Sequence, residues 1–126
     1  MAMQTHEALC TCRTTELFDF VDITEDIQDA VAASGFLAGR ATVFSDSDTC
    51  PILVNERESG LLKDIRRALE RVSTNGGIEP PTTIGAKSVV IPIVGGKLRL
   101  GTWQRVLLLE MDAPHERSVI VQIVGE

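Results

Sequence analysis

Tyrosine is absent from this sequence, tryptophan occurs once, and phenylalanine occurs four times. With so few rings available, the core must be built from Val, Ile, Leu and Ala. A basic excess is also lacking: the formal net charge is −6. A free-standing nucleic-acid binder usually carries a basic face, so nucleic acid is not expected as a partner. The one cluster of cations, Lys63, Arg66, Arg67 and Arg71, alternates with Asp64 and Glu70 and reads as a solvated helix face. No apolar run approaches the ~18 residues of a membrane span. The N-terminal MAMQTHEALC lacks a basic stretch followed by an apolar one, so no signal peptide is evident and a cytoplasmic location is expected. Three cysteines form an odd set. Cys10 and Cys12, spaced C-x-C, share one face of a strand. No further ligands stand near them, so small buried hydrophobes in a reducing compartment are expected, with no metal and no cofactor.

What remains is an ordinary globular composition, 44% apolar over 126 residues. It suits a single domain spanning 1–126 that folds without staples. Residues 4–12 and 16–23 read as strands joined by a turn at Arg13, Thr14 and Thr15. DITEDIQDAVAASG reads as a helix with Thr24 as N-cap, Glu25 and Asp26 in the positive first turn, and Gly35 just past its end. Ile27, Val31 and Ala32 form its buried stripe. FLAGRATVF and ILVNE read as strands separated by a polar loop. Residues 57–72 give the strongest helical periodicity, through Leu61, Leu62, Ile65, Leu69 and Val72. STNGGIEPPTT is loop. The remainder, AKSVVIPIV, KLRLGTWQRVLLLEM and RSVIVQIVGE, reads as three long strands, the first two joined by a Gly95-Gly96 hairpin. The fold class is α+β: an antiparallel sheet sandwich of about seven strands with two packed helices. VLLLEM and VIVQIV are apolar on both faces and so need cover on both, which a homo-oligomer interface would complete.

Motifs of known chemistry are mostly missing. SDSDTC fails the calcium-loop pattern, because Cys50 takes a ligand position and Pro51 the glycine. GAKS lacks the first glycine of a phosphate loop and leads into a strand. Asn55 and Glu56 stand where a strand ends and a helix begins; they suit an anion site at the helix N-terminus or a carboxylate answering the helix dipole. His6 and His115 have no Ser, Cys or carboxylate partner at a telling spacing and read as surface side chains. Trp103 and Gln104, adjacent on an expected strand, point to opposite faces. Core packing is the favoured reading for Trp103, and Gln104 is the one expected to meet a ligand.

GTWQ before an apolar strand, then E-x-D-x-P and a terminal VQIVGE, resemble the YjbQ-like family. LVNERESGLLKDI matches its Asn-Glu stretch at Asn55, Glu56 and Asp64. IGAKSVVIPIVGGKLRLGTWQ matches at Gly85, Ser88, Pro92, Gly96, Gly101, Thr102, Trp103 and Gln104. The resemblance covers most of residues 40–126. It implies a homotrimeric α+β sandwich with sites near subunit boundaries that hold phosphate, sulfate or a metal ion, and a weak thiamine-phosphate synthase activity. It also implies three histidines that this chain lacks. The family's H-T-[ST]-A stretch falls on Ser47, and its Y-x-H and A-H pairs fall in a segment shortened here to residues 73–88. Ser47 cannot act as a base near neutral pH or hold zinc tightly, and Asp46 and Asp48 beside it disfavour a phosphate. The resulting expectation is a divergent, non-catalytic homotrimer that is structural or binds a small molecule or anion. The candidate ligand contacts are Ser47, Glu56, Trp103 and Gln104. The alternative is a weak enzyme using Glu56 and Gln104 with a rebuilt loop at 45–50.

Overall fold

The structure is a computed structural model that describes residues 2–74 and 85–126. Strand β1 (Gln4–Arg13) is followed by the short β2 (Phe20–Asp22), helix α1 (Thr24–Ser34), β3 (Ala38–Ser45), β4 (Ile52–Glu56) and helix α2 (Ser59–Thr74). Strands β5 (Ser88–Val94), β6 (Lys97–Leu98), β7 (Gln104–Leu109) and β8 (Glu116–Gly125) complete the order. Two antiparallel sheets result, one ordered β1-β8-β3-β5-β6 and the other β2-β7-β4. The expected class, mixed α+β with two helices and antiparallel sheets, stands. The loop expected over 73–83 lies outside the described residues past Thr74.

Period-two patterning explains the large sheet. Ala41, Val43, Ile91, Ile93, Val119, Val121 and Ile123 alternate inward and are nearly fully buried, and Ala8, Cys10 and Cys12 of β1 pack against them. Helix α1 lies against this core through Ile27, Ala30 and Val31. Ala32, expected in that stripe, is exposed, and Ala30 takes its place. Gly35 closes the helix at φ 72. Gly95 and Gly96, at φ 61 and 76, make the β5–β6 hairpin with the two left-handed residues such a turn requires.

Two expected strands break, each for a local reason. Over 16–23, Phe18 turns left-handed at φ 61 and buries its ring, while the Asp19 carboxylate accepts the Thr15 N–H at 2.9 Å. Only Phe20–Asp22 remains extended. Over 97–111, the chain leaves the large sheet after Leu98 and enters the small one at Gln104. The Gln104 side-chain Oε1 holds the intervening turn by accepting the Gly101 N–H at 2.7 Å.

The doubly apolar strands resolve differently from each other. In β7, Val106, Leu107, Leu108 and Leu109 are all buried within one chain. Val106 and Leu108 join the main core. Leu109 packs with Phe18, Met111 and Leu69 of α2. Full burial stabilises by roughly 1.5–3 kcal/mol per side chain, so β7 needs no second subunit. The outward face of β8 is less well covered: Ile120 lies between Leu9 of β1 and Phe44 of β3 in register, and those neighbours are 66% and 45% exposed.

Candidate functional site

The four candidate residues do not converge. Strand β4 separates them: Ser47 lies in the loop before it, whereas Glu56 ends it and pairs in register with Gln104. Five extended residues span roughly 16 Å, so the two groups occupy opposite ends of the small sheet.

At the Ser47 end the centre is Glu110, a carboxylate that is fully buried just past β7. Arg117 grips it from β8 through Nε at 2.8 Å and Nη2 at 2.9 Å, a bidentate fork. The Thr14 hydroxyl donates to Oε1 at 2.6 Å, and the Asp112 N–H donates to Oε2 at 3.1 Å. The Cys50 thiol lies 3.4 Å from Oε2. Burial alone would raise the Glu110 pKa, but hydrogen bonds from Arg117, Thr14 and Cys50 outweigh it and hold the carboxyl below its ordinary value. A carboxylate with five donors, two of them from a guanidinium, is held ionised at neutral pH. Ser47 belongs to this network, its hydroxyl 3.3 Å from Arg117 Nη1 and 3.2 Å from the Thr49 hydroxyl. Burial pushes the Cys50 thiol up, and the Cys12 thiol up to about 11, so neither offers a thiolate nucleophile at neutral pH.

At the other end, Glu56, Arg57, Glu58, Thr102, Trp103 and Arg105 line an open groove of about 490 Å³. Trp103 does not pack the core as favoured above. It sits on the turn before β7, not within the strand, and is 73% exposed. Gln104, a candidate ligand contact, directs its side-chain carbonyl into its own turn. Glu58 caps α2: its two carboxylate oxygens accept the Gly60 and Leu61 N–H groups at 2.9 and 2.7 Å. Those bonds hold its pKa below the usual range. They also occupy amides that an anion at this helix terminus would use, which argues against the anion reading.

Sequence reasoning missed Asp22. Its Oδ1 accepts both the N–H and the hydroxyl of Thr24, at 3.0 and 2.7 Å; Thr24, expected as N-cap, is the first helical residue, and the cap position falls on Ile23, which makes no side-chain cap bond. Its Oδ2 takes Arg105 Nε at 2.8 Å and Arg57 Nη1 at 3.4 Å. Burial would raise the Asp22 pKa, but the Thr24 and Arg105 hydrogen bonds lower it more. Arg105 also meets Glu25 at 2.7 Å. The available signal was the D-x-T spacing before an acidic first turn, an Asx-type turn. Arg66 is a second miss. Rather than pointing to water with Lys63 and Arg67, it donates to the Phe18 carbonyl at 3.2 Å and meets Glu16 at 3.3 Å.

The sequence model of the UPF0047 protein YjbQ-like family matches residues 8–79 and 81–126. The chain belongs to the YjbQ-like family. A UPF0047 protein of Archaeoglobus fulgidus is 35% identical over 124 residues, covering 89% of this chain and 96% of that one. Another from Methanothermobacter thermautotrophicus is 30% identical over 126 residues, covering 90% and 88%. Among solved structures, a YbjQ-like protein of unknown function from Sulfolobus solfataricus superposes with a TM-score of 0.88 at 30% identity, covering 99% of this chain and 100% of that one. A hypothetical protein from Aeropyrum pernix follows at 0.85 and 32%, covering 95% and 98%. Among the described residues of this chain, no helix is long and apolar enough to cross a membrane.

Proposed function

We propose that this YjbQ-like chain is a non-catalytic small-ligand-binding protein that works as a cytoplasmic homotrimer of single-domain subunits. The observation that carries the reading is the exposed Trp103 on a groove whose size falls in the range typical of small-molecule sites. An indole left in water forgoes the burial that makes tryptophan favourable, and a ligand stacked on it recovers that term. The absence of turnover is supported by the chemistry at both ends. Glu110 is saturated with donors, and the groove lining offers carboxylates and guanidiniums but, among the described residues, no imidazole or thiol.

Self-association is supported by the outward face of the large sheet, where Leu9, Phe44, Val90 and Val94 are 66%, 45%, 59% and 56% exposed. Leu9, Ile120 and Phe44 adjoin one another across three strands, and burial against a second copy is an ordinary way to cover exposed apolar side chains of this size. The number three rests on the family resemblance. Light scattering should return three times the 13.7 kDa chain mass. Leu9→Asp with Phe44→Asp should give a folded monomer. A monomeric wild type at micromolar concentration would contradict this part of the proposal.

Binding is tested by titrating small molecules of each charge class against the emission of the sole tryptophan. At least one should saturate, and Trp103→Ala should abolish its calorimetric signal while lowering stability by less than about 1 kcal/mol. In an assay for thiamine phosphate formation, turnover should stay at background. Turnover that disappears in Glu56→Ala and Gln104→Ala would instead establish the enzyme reading.

A further inference from the structure

Charge pairing around the Trp103 groove specifies what kind of molecule it takes. Both arginines of the lining are already engaged, Arg105 with Asp22 and Glu25, and Arg57 with Asp22. Glu58 spends its two oxygens on the first amides of α2. Glu56 is different: it is exposed at the end of β4, beside the turn that carries Trp103, and its register partner is the neutral Gln104. The lining holds two carboxylates, Glu56 and Glu58, and two guanidiniums, but both guanidiniums are paired with Asp22 and Glu25 from outside the lining, which leaves the charge of Glu56 and Glu58 in surplus on a chain whose net charge is −6. The groove therefore combines an electron-rich indole face with a surplus of negative charge, the arrangement that attracts an organic cation. An anion meets the opposite field and finds the helix amides occupied.

We propose that the groove binds a small organic cation, with its charged, apolar-clad head against the Trp103 ring and Glu56 as counter-charge. The assignment rests on the groove reading above and adds the ligand class to it. A quaternary ammonium suits the site because its methyl groups bury against indole without demanding hydrogen bonds, while its diffuse charge meets the ring face and the carboxylate together. An ammonium with three donors would stay hydrated in so open a groove.

The test compares choline, its neutral carbon isostere 3,3-dimethylbutan-1-ol, N-methylpyridinium and inorganic phosphate on the full chain, by Trp103 emission and by calorimetry. Both cations should bind saturably, and the neutral isostere should bind about two- to thirty-fold more weakly, the range that cation–π attraction supplies from exposed to desolvated sites. Glu56→Gln should reduce the preference for choline over its isostere several-fold and leave isostere binding unchanged, a result that loss of folding would not produce. Added salt should weaken choline and spare the isostere. Equal binding of choline and isostere, or tighter binding of phosphate, would overturn the cation assignment and leave the groove as a binding site. Silence of all four probes would overturn the assignment and the groove reading together.

Discussion

Glu110→Gln should lower the free energy of unfolding by about 3 kcal/mol or more, because removing one partner strands a buried guanidinium. Arg117 is only 12% exposed, its fork is matched to two carboxylate oxygens, and Glu110 itself is fully buried. An amide offers one acceptor where two are needed, and it points an N–H pair at the donors from Arg117, Thr14 or Cys50. Replacing both members together, Glu110→Met with Arg117→Leu, should recover most of the loss, since apolar pairs of similar volume replace buried ion pairs well. Urea denaturation of the two variants checks both statements. The pH dependence has a definite sign. The folded Glu110 pKa is depressed, so its contribution is fully present above the unfolded carboxyl value of about 4.3 and is lost as pH falls through the lower, folded value. Wild type should lose stability over that acid window, and Glu110→Gln should lose less. A Glu110→Gln variant within 1 kcal/mol of wild type at neutral pH would show that the network is not what holds β1, β7 and β8 together at that end.

The second large effect belongs to Gly39. It lies in β3 at φ 152, a backbone conformation that L side chains rarely adopt, and it is paired with Gly125 of β8. A Cβ there would meet the Val124 carbonyl oxygen and stand 2.6 Å from the Gly125 Cα. Neither atom is the tip of a flexible side chain, so the β3–β8 pairing itself must shift. Strained backbone and overpacking each cost on the order of 1–3 kcal/mol. Gly39→Ala should therefore cost about 3 kcal/mol in urea unfolding, and Gly39→Val more. Unchanged stability in Gly39→Ala would mean that the two strands separate more easily there than their register implies.

Strands patterned with period two were legible in the sequence where nothing local competed. ILVNE became β4 with the same ends, and residues 4–12 became β1 extended by Arg13. The misses fell where a side chain captured the backbone. Asp19, Gln104 and Asp22 each hydrogen-bond neighbouring backbone, and each moves an element boundary. Such capture depends on a side-chain rotamer, to which hydropathy patterns are blind. The candidate residues were grouped by family resemblance alone, because strand pairing such as that of Glu56 with Gln104 is invisible in linear sequence. Nor does any linear spacing reveal that Ser47 lies at the opposite end of β4, beside a carboxylate contributed from residue 110. The favoured core packing of Trp103 was reasonable for a chain short of rings. It failed because the ring sits on the crossover between the two sheets, where the chain turns outward before β7.

The most direct test of the central claim, that binding belongs to the Trp103 end and that the Glu110 end is framework, is a choline titration followed by amide and indole N–H shifts in an NMR spectrum. The account predicts saturable shifts at the Trp103 indole and at the Glu56, Arg57 and Gln104 amides, with Ser47, Thr49, Cys50 and Asp112 unmoved. Shifts concentrated at Ser47, Cys50 and Asp112, with the Trp103 indole still, would contradict it.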